Sequence, residues 1–514
     1  MANLSQPWLI DGRTGAVALY EQLLSRLNCA PLQIRSQCQP ASMVDALMEI
    51  TVAVAFGAKL NLFDADFGER ELAALGYSKV GLNLPEPVVA AAPIDLPALQ
   101  ALAAGRSSAR LGLFTSGSTG LPKLVWQTVA NLARAVKVSP RQAEAVWALA
   151  YNPTHIAGIQ VYLQALANGC TLVDVYGLDR PAVLAALERH KVTHISATPS
   201  FYRLLLPVQR PLPGVRSVTL GGESADARLL HKLAELFPQA RLHNVYASTE
   251  AGTLLVADGD VFAIAAGLEG RVVVRDGKIH VHRSLLGEFG APTKPSPVIG
   301  DKVSGIGFSP LEGQSEPITS IQQPIFTPSP RDEDWYDTGD VVEVVSEQPL
   351  RFRIVARERD WVNVGGNKVN PHEVEGVLGE HPGVQQVRVF GRKNSVMGHI
   401  LCAEIVLAKP NDGQRTTDAG QKTTDDRRQT PDDERTTDGG SRKAAGESDL
   451  PQKSASGARV EDGGQRTEVG RLTEAELRSF AAARLQPFKV PRMIRFVDHI
   501  ATTRTGKMQR TEGG

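Results

Sequence analysis

Thr115-Ser116-Gly117-Ser118-Thr119-Gly120-Leu121-Pro122-Lys123 alternates hydroxyls with glycines and closes on a lysine. Such a run can hold a polyphosphate. Glycines let the backbone adopt positive φ and turn successive N–H groups toward an anion, the hydroxyls donate further hydrogen bonds, and the lysine adds a mobile charge. The run is not a Walker A loop, which needs a glycine directly before the lysine and a hydroxyl after it. Here Leu-Pro precedes Lys123 and Leu124 follows it.

Three further segments combine acids, cations and turn formers in ways that suit the same chemistry. Asn244-Val245-Tyr246-Ala247-Ser248-Thr249-Glu250-Ala251-Gly252 follows the β-like stretch Arg241-Leu242-His243. Trp335-Tyr336-Asp337-Thr338-Gly339-Asp340 is followed by Arg357-Glu358-Arg359-Asp360 and by Gly365-Gly366-Asn367-Lys368. Thr503-Arg504-Thr505-Gly506-Lys507-Met508-Gln509-Arg510 stands near the C-terminus. Taken singly, each has a structural reading: Glu250 as a surface carboxylate, Asp340 as a turn former, Tyr246 as a core aromatic, Gly365-Gly366 as a plain turn, Lys507 as a solvated lysine.

In this order the four segments resemble the adenylate-forming superfamily of acyl-CoA synthetases, peptide-synthetase adenylation domains and luciferases, over most of the chain from about residue 111. The resemblance implies that a carboxylate attacks the α-phosphorus of ATP, giving acyl-AMP and pyrophosphate, and that a thiol then displaces AMP. Anions are brought together in the first step, so positive charge, oriented donors and a metal are needed. By resemblance, Thr115, Ser116, Gly117, Ser118, Thr119, Gly120 and Lys123 hold the β- and γ-phosphates. Tyr246 stacks on adenine, Gly221, Gly222 and Glu223 form the adenine edge, and Asn244 belongs to the same nucleotide-binding set. Thr249 touches the α-phosphate and Glu250 binds Mg²⁺, a hard cation that prefers oxygen. Asp340 accepts from the ribose hydroxyls and Arg357 reaches ribose or phosphate. Lys507 bridges the incoming carboxylate and the phosphate in the first half-reaction and must leave before the thiol arrives. Arg359 stands at the hinge on which the C-terminal domain swings.

The acid is less legible. Asn152-Pro153-Thr154-His155-Ile156-Ala157-Gly158 resembles the family segment whose His or aromatic residue gates the acyl pocket, and Gln160, Ser196, Thr198, Phe201 and Ala247 are further pocket candidates. Ala247 replaces a glycine common in the family and narrows the tunnel by a methyl group, so a short or flat acid is expected rather than a long fatty chain. The run from His155 to Val161 is also similar to that of o-succinylbenzoate-CoA ligases. Coenzyme A is the expected thiol, with carrier-bound phosphopantetheine as the alternative. No carrier domain follows Arg510, so an acyl carrier protein would act in trans. A noncatalytic nucleotide-binding scaffold is a rival class, but it has no need of Lys123, Glu250, Asp340, Arg357 and Lys507 together.

The elements that must position these residues follow from pattern and length. At 514 residues the chain exceeds one core, and 42% hydrophobic with 22% charged residues describes an ordinary globular protein. From about 111 to 250, apolar runs alternate with amphipathic stretches, including Val146–Ala150, Ile159–Ala167, Thr171–Val173 and Pro181–Arg189, the βαβα rhythm of a mostly parallel sheet covered by helices. Leu111–Phe114 and Leu124–Trp126 flank the glycine-rich run as strands, placing it at a strand end, where open α/β sheets bind ligands. Asp276-Gly277 between two apolar runs is a hairpin signal and opens a β-rich subdomain. The expected fold class is α/β: a large N-terminal domain, residues 1–356, of α/β sheets covered by helices plus the β-rich subdomain, and a small mobile α+β domain, 357–514. The stretch before the glycine-rich run is shorter than usual in the family, and Leu47–Lys59 reads as a buried helix or a helix running into a strand. Between about 410 and 470 the apolar pattern gives way to degenerate Thr-Thr-Asp repeats with nothing to bury, so this insertion is expected to be a disordered spacer.

Lys+Arg and Asp+Glu are both 56, so no global field recruits nucleic acid or an acidic membrane. Cys29, Cys38, Cys170 and Cys402 are scattered, without metal-ligand spacing or a disulfide pattern, which fits a reducing cytoplasm. The N-terminus has no basic region followed by an apolar core, and no run of about 18 apolar residues occurs, so neither a signal peptide nor a membrane span is expected.

Overall fold

Alternating apolar and amphipathic segments become alternating strands and helices in the computed structural model, which describes residues 4–29, 32–82, 84–88, 93–115, 123–206, 210–290, 334–394, 398–408 and 472–500. The chain divides into two units, Met1–Ala408 with Glu474–Gly514, and Lys409–Thr473; the elements below belong to the first.

Helix α1 (Met43–Phe56) starts where the Ser42 hydroxyl accepts from the Asp45 N–H, and ends at Gly57 with φ 67°, so Leu47–Lys59 is a helix running into strand β1 (Lys59–Leu62). Strands β2 (Arg110–Thr115) and β3 (Lys123–Thr128) pair antiparallel from Arg110↔Thr128 to Thr115↔Lys123. The glycine-rich run thus joins two antiparallel strands of a separate five-stranded sheet, rather than leading from a strand into a helix. Ser116, Gly117, Ser118, Thr119 and Gly120 lie outside the described residues.

The α/β part follows as β4 (Val146–Leu149), α2 (Ile156–Asn168), β5 (Thr171–Asp174), α3 (Arg180–Arg189), β6 (His194–Ala197), α4 (Pro199–Leu205), β7 (Ser217–Gly221), α5 (Ala227–Leu236) and β8 (Arg241–Ser248). Local chemistry sets the boundaries. Asp179 and Asp226 accept from the first turns of α3 and α5, Thr198 caps α4, and α2 stops at left-handed Gly169. Strands β5, β4, β6, β7 and β8 lie side by side and parallel.

The β-rich stretch extends the same sheet. Strands β9 (Gly252–Asp258), β10 (Val261–Ala263), β11 (Val272–Arg275), β12 (Lys278–His282), β13 (Trp335–Glu347) and β14 (Leu350–Arg357) add antiparallel, giving 13 strands in the order β11-β12-β13-β14-β10-β9-β8-β7-β6-β4-β5, then Pro7–Asp11 and Val17–Leu19. Asp276 and Gly277, with φ 48° and 70°, make the tight turn between β11 and β12, as the Asp-Gly signal requires.

A 3₁₀ turn, Glu358–Asp360, leads out of β14 into another sheet built from β15 (Val362–Val364), β16 (Asn367–Val369), β17 (Val384–Asn394), β18 (Gly398–Leu407) and β19 (Met493–Phe496), with helices α6 (Pro371–Leu378) and α7 (Glu474–Ala482). Arg359 is the middle residue of that turn. The repeat-rich stretch 410–470 and Lys507 lie outside the described residues.

Candidate active site

Strands β6, β7 and β8 carry the site on one face. Period-2 alternation sends Ile195, Ala197, Val218 and Leu220 into a core with Val183, Leu187, Tyr202, Leu205, Leu229 and Leu233 from α3, α4 and α5. On the other face the register aligns His194 with Ser217 and Arg241, then Ser196 with Thr219 and His243, then Gly221 with Val245. These residues line a cavity of about 2610 Å³ that also takes in the ends of β2 and β3, the start of α2, and strands β13 and β14. A parallel sheet under helices is normally apolar on both faces. Hydroxyls and imidazoles on one face mark it as a wall of that cavity.

At the C-terminal ends of the parallel strands three distant residues meet. The Tyr246 hydroxyl donates to Asp340 Oδ2 at 2.5 Å, and Arg357 Nε donates to Asp340 Oδ1 at 2.8 Å. Asp340 and Arg357 are direct partners in the β13–β14 register, and Tyr246 arrives from β8. Asp340 is 3% exposed, and its charge is balanced by the guanidinium. Burial works against the Arg357 charge, but the charge and hydrogen bond of Asp340, together with Tyr246 and Glu250, outweigh it and hold the guanidinium more firmly protonated than usual. Burial, then the Asp340 charge, pushes the Tyr246 phenol well above its ordinary range, so it remains a donor. Each carboxylate oxygen keeps a lone pair beyond the bond it accepts. Asp340 can therefore still receive a pair of neighbouring hydroxyls. Tyr246 itself is 8% exposed and packs with Leu255, Phe262 and Phe352 while bordering the cavity.

The turn after β8 is held from behind by a residue that sequence reasoning missed. Gln127 on β3, fully buried, donates through Nε2 to the Thr249 carbonyl at 2.8 Å and the Glu250 carbonyl at 2.9 Å. Arg134 donates to the Ala251 carbonyl at 3.1 Å, and the Gly287 N–H to the Glu250 carbonyl at 2.7 Å. With these carbonyls engaged, Thr249 and Glu250 border the cavity, as do Thr115 and Lys123 from the paired ends of β2 and β3. The only signal in the sequence is a glutamine directly after the apolar run Leu124-Val125-Trp126.

Several other candidates have partners in the protein. Glu223 Oε2 accepts from the Ser200 N–H at 2.9 Å at the start of α4, beside Gly222, whose φ is 84°. Asn244, buried, donates to the Gly259 carbonyl at 3.2 Å. Thr198 caps α4 by accepting from the Phe201 N–H at 3.1 Å. Gln160 ties α2 to its surroundings, donating to the Leu132 carbonyl and accepting from Thr253 Oγ1, each at 3.1 Å. Ala247 sits at a register shift in the β8–β9 ladder, where a bulge re-aims the chain. All five border the cavity.

His155 precedes α2, and its Nε2 lies 2.9 Å from Asp64 Oδ1. Asp64, 5% exposed, also accepts from Asn152 Nδ2 at 3.2 Å and from the Thr154 hydroxyl. The imidazole is thereby fixed at the cavity wall by a carboxylate that arrives with the turn after β1. Nothing in the local sequence around Asp64 announces this, because the partners are 91 residues apart.

The Tyr246–Asp340–Arg357 trio, Lys123 and the turn of Thr249 and Glu250 thus border one cavity. The AMP-binding enzyme family matches residues 26–276 and the AMP-binding enzyme C-terminal domain residues 373–429, so the chain belongs to the AMP-binding enzyme family. It is 28% identical over 314 residues to a 2-succinylbenzoate–CoA ligase of Bacillus subtilis, a match spanning 60% of this chain and 60% of that relative. Its fold resembles that of an o-succinylbenzoate CoA synthetase from Bacillus subtilis solved with the acyl-adenylate intermediate, with TM-score 0.58 and 17% identity over 99% of this chain and 95% of the other. The same enzyme with ATP and a magnesium ion gives TM-score 0.56 at 17% identity, over 99% and 96% of the two chains.

Proposed function

We propose that this protein activates a carboxylic acid with ATP, forming acyl-AMP and pyrophosphate, and passes the acyl group to the thiol of coenzyme A. The observation that carries this reading is the convergence of Tyr246, Asp340 and Arg357 beside Thr249, Glu250, Thr115 and Lys123 around one cavity. A ribose fits the remaining acceptor sites of Asp340, and the polyphosphate falls toward Lys123. The family relationship supports ATP as the nucleotide, and the ligase relatives support coenzyme A as acceptor.

The donor set suits magnesium. Among the described residues no group of three His, Cys, Asp or Glu side chains gathers as a closed metal cage. Magnesium commonly binds through one or two carboxylates together with substrate phosphates, and Glu250 is the carboxylate that would hold it, neutralising phosphate charge. The protein's own work is then to orient: Asp340 and Tyr246 fix the nucleoside, Gln127 fixes the turn carrying Thr249 and Glu250, and His155, held by Asp64, borders the acid. Lys507 supplies the charge that lowers repulsion between carboxylate and phosphate. Its withdrawal on a C-terminal domain turning at Arg359 opens the way for the thiol.

Acid-dependent ATP–pyrophosphate exchange, followed by thioester formation with coenzyme A alone, tests the reading. Lys507→Ala is expected to cripple exchange while leaving thiolysis of a supplied acyl-adenylate largely intact. Equal loss in both steps would refute the swing at Arg359, and thioester formed only with a phosphopantetheinylated carrier protein would replace coenzyme A as acceptor.

A further inference from the structure

We propose that the acid activated here carries a second carboxylate, held by Lys137, Arg216 and Arg241 at the end of the cavity remote from the nucleotide. The inference deepens the acid-activation reading and rests on it.

The geometry follows from the strand register. Val245 and Gly221 stand level near the nucleotide end, and Arg241 stands four residues earlier on β8, level with Ser217 and His194. At the rise of a strand this separates the two ends by about 13 Å. Everything between is polar on this face: Thr219 and His243 in one row, His194 and Ser217 in the next. A hydrocarbon tail laid along it would strip water from hydroxyls and imidazoles without replacing their hydrogen bonds. A polar or flat substrate would not. Trp147 stacks on His194, with ring centroids 4.7 Å apart and planes 28° apart, and gives the wall a planar surface.

The far end is cationic and uncompensated. Lys137, Arg216 and Arg241 border the cavity, and among the described residues none of their side chains forms an ion pair or hydrogen bond with the protein. Neighbouring imidazoles register the field. Burial, then the charges of Arg216 and His243, bring His194 down to about 4, and burial, then Lys137 and Arg241, lower His243. No carboxylate contributes to either shift. The acids of the nucleotide end, Glu223, Glu250 and Asp340, come after the strand ends or from other strands. Asp260, which borders the cavity in the turn packed on Asn244, is already paired with Arg353 Nε at 3.0 Å, so an anion reaching this end meets three cations that no acid neutralises. An arginine fork matches a carboxylate in shape as well as in charge.

Coenzyme A is also anionic, so the test omits it. ATP–pyrophosphate exchange is measured with linear dicarboxylic acids of increasing length and with monocarboxylic acids matched to them. We expect a dicarboxylic acid to be the better substrate at its optimal length. In Arg216→Ala/Arg241→Ala its KM should rise roughly tenfold or more, the loss expected for charge-assisted hydrogen bonds, with kcat little changed. The KM of the matched monocarboxylic acid should stay where it was, and the melting temperature too, because both side chains are exposed. Preference for monocarboxylic acids, or an equal KM change for both series, overturns the inference while leaving acid activation in place. A change confined to the KM of coenzyme A in the thioester assay also overturns it and assigns the cations to the thiol substrate. Failure of every acid in both series to support exchange rejects acid activation, and this inference with it.

Discussion

The two faces of β6 and β7 differ by one residue in register and wholly in chemistry. Ile195, Ala197, Val218 and Leu220 are fully buried against helices, whereas His194, Ser196, Thr219 and Gly221 border a cavity. The same backbone ladder serves both, so stability and recognition are written on alternate residues. A substitution on one face should therefore disturb one property without the other.

The strongest way to break this comparison is to place the same charge on neighbouring residues. Leu220→Asp buries an unpaired carboxylate among helices α3, α4 and α5, a change expected to cost more than about 4 kcal/mol and leave little folded protein. Thr219→Asp puts the carboxylate in the cavity, where water and His243 can meet it, and should leave the melting temperature within a few degrees. Solubility and circular dichroism melts decide between them. If Thr219→Asp unfolds the protein too, the cavity face is packed rather than open, and the distinction fails.

Asp340 sharpens the comparison, because it is a buried charge that borders the cavity. It sits beside the apolar cluster of Tyr246, Phe262 and Phe352 with its charge answered by Arg357. Asp340→Asn keeps the shape but removes the charge, leaving Arg357 uncompensated and weakening the bonds offered to a ribose. Loss of such charge-assisted bonds amounts to about 1.5–3 kcal/mol, or roughly ten- to hundredfold in ATP affinity. Equilibrium binding of an ATP analogue measures it, and an unchanged affinity would mean the ribose lies elsewhere.

How much of this was readable beforehand depended on whether a role resides in one segment or between segments. Tyr246, Asp340 and Arg357 were singled out by the motifs that carry them, and the register of β13 and β14 then brings two of them together. The helix α2 was legible as an apolar run, and it extends beyond Ile159–Ala167 to Ile156–Asn168, where left-handed Gly169 ends it. The polar alternation of His-Ile-Ser-Ala and Ser-Val-Thr-Leu was visible, but which face meets helices and which meets a cavity depends on the packing of α3 to α5. Asp64 and Gln127 were silent for the same reason: their partners, His155 and the carbonyls of Thr249 and Glu250, become neighbours only through the tertiary fold. Continuation of the parallel strands into one 13-stranded sheet was equally hidden, since the hairpin signal at Asp276-Gly277 fixes a turn and not the strand that β12 joins.

Gln127 offers a test on the boundary between the two kinds of position, because it is buried like a core residue yet acts on the active-site turn. Gln127→Leu leaves the Thr249 and Glu250 carbonyls without that donor, which should cost about 1–3 kcal/mol of stability. The turn should also loosen, so kcat for exchange falls several-fold while the acid KM changes little. Stability loss without a kcat change would make Gln127 a core residue only.

The smallest expected effect concerns Asp174, which closes β5 at the same C-terminal end of the sheet. Burial raises its pKa to about 6, the Asp11 charge adds to the rise, and the Tyr176 N–H and Arg13 oppose it. The native state therefore holds this proton more tightly than the unfolded chain. Stability from this residue is intact below the unfolded carboxyl value and is lost as pH rises through about 6. Asp174→Asn cannot ionise, and its side-chain oxygen can still accept from the Tyr176 N–H. Its melting temperature should match wild type at pH 4 and exceed it at pH 7, by the equivalent of about 1–2 kcal/mol after allowing for solvent screening. A variant less stable than wild type at pH 7 would mean that the charged carboxylate is favoured at this strand end, and that the cations nearby, Arg13 foremost, outweigh its burial.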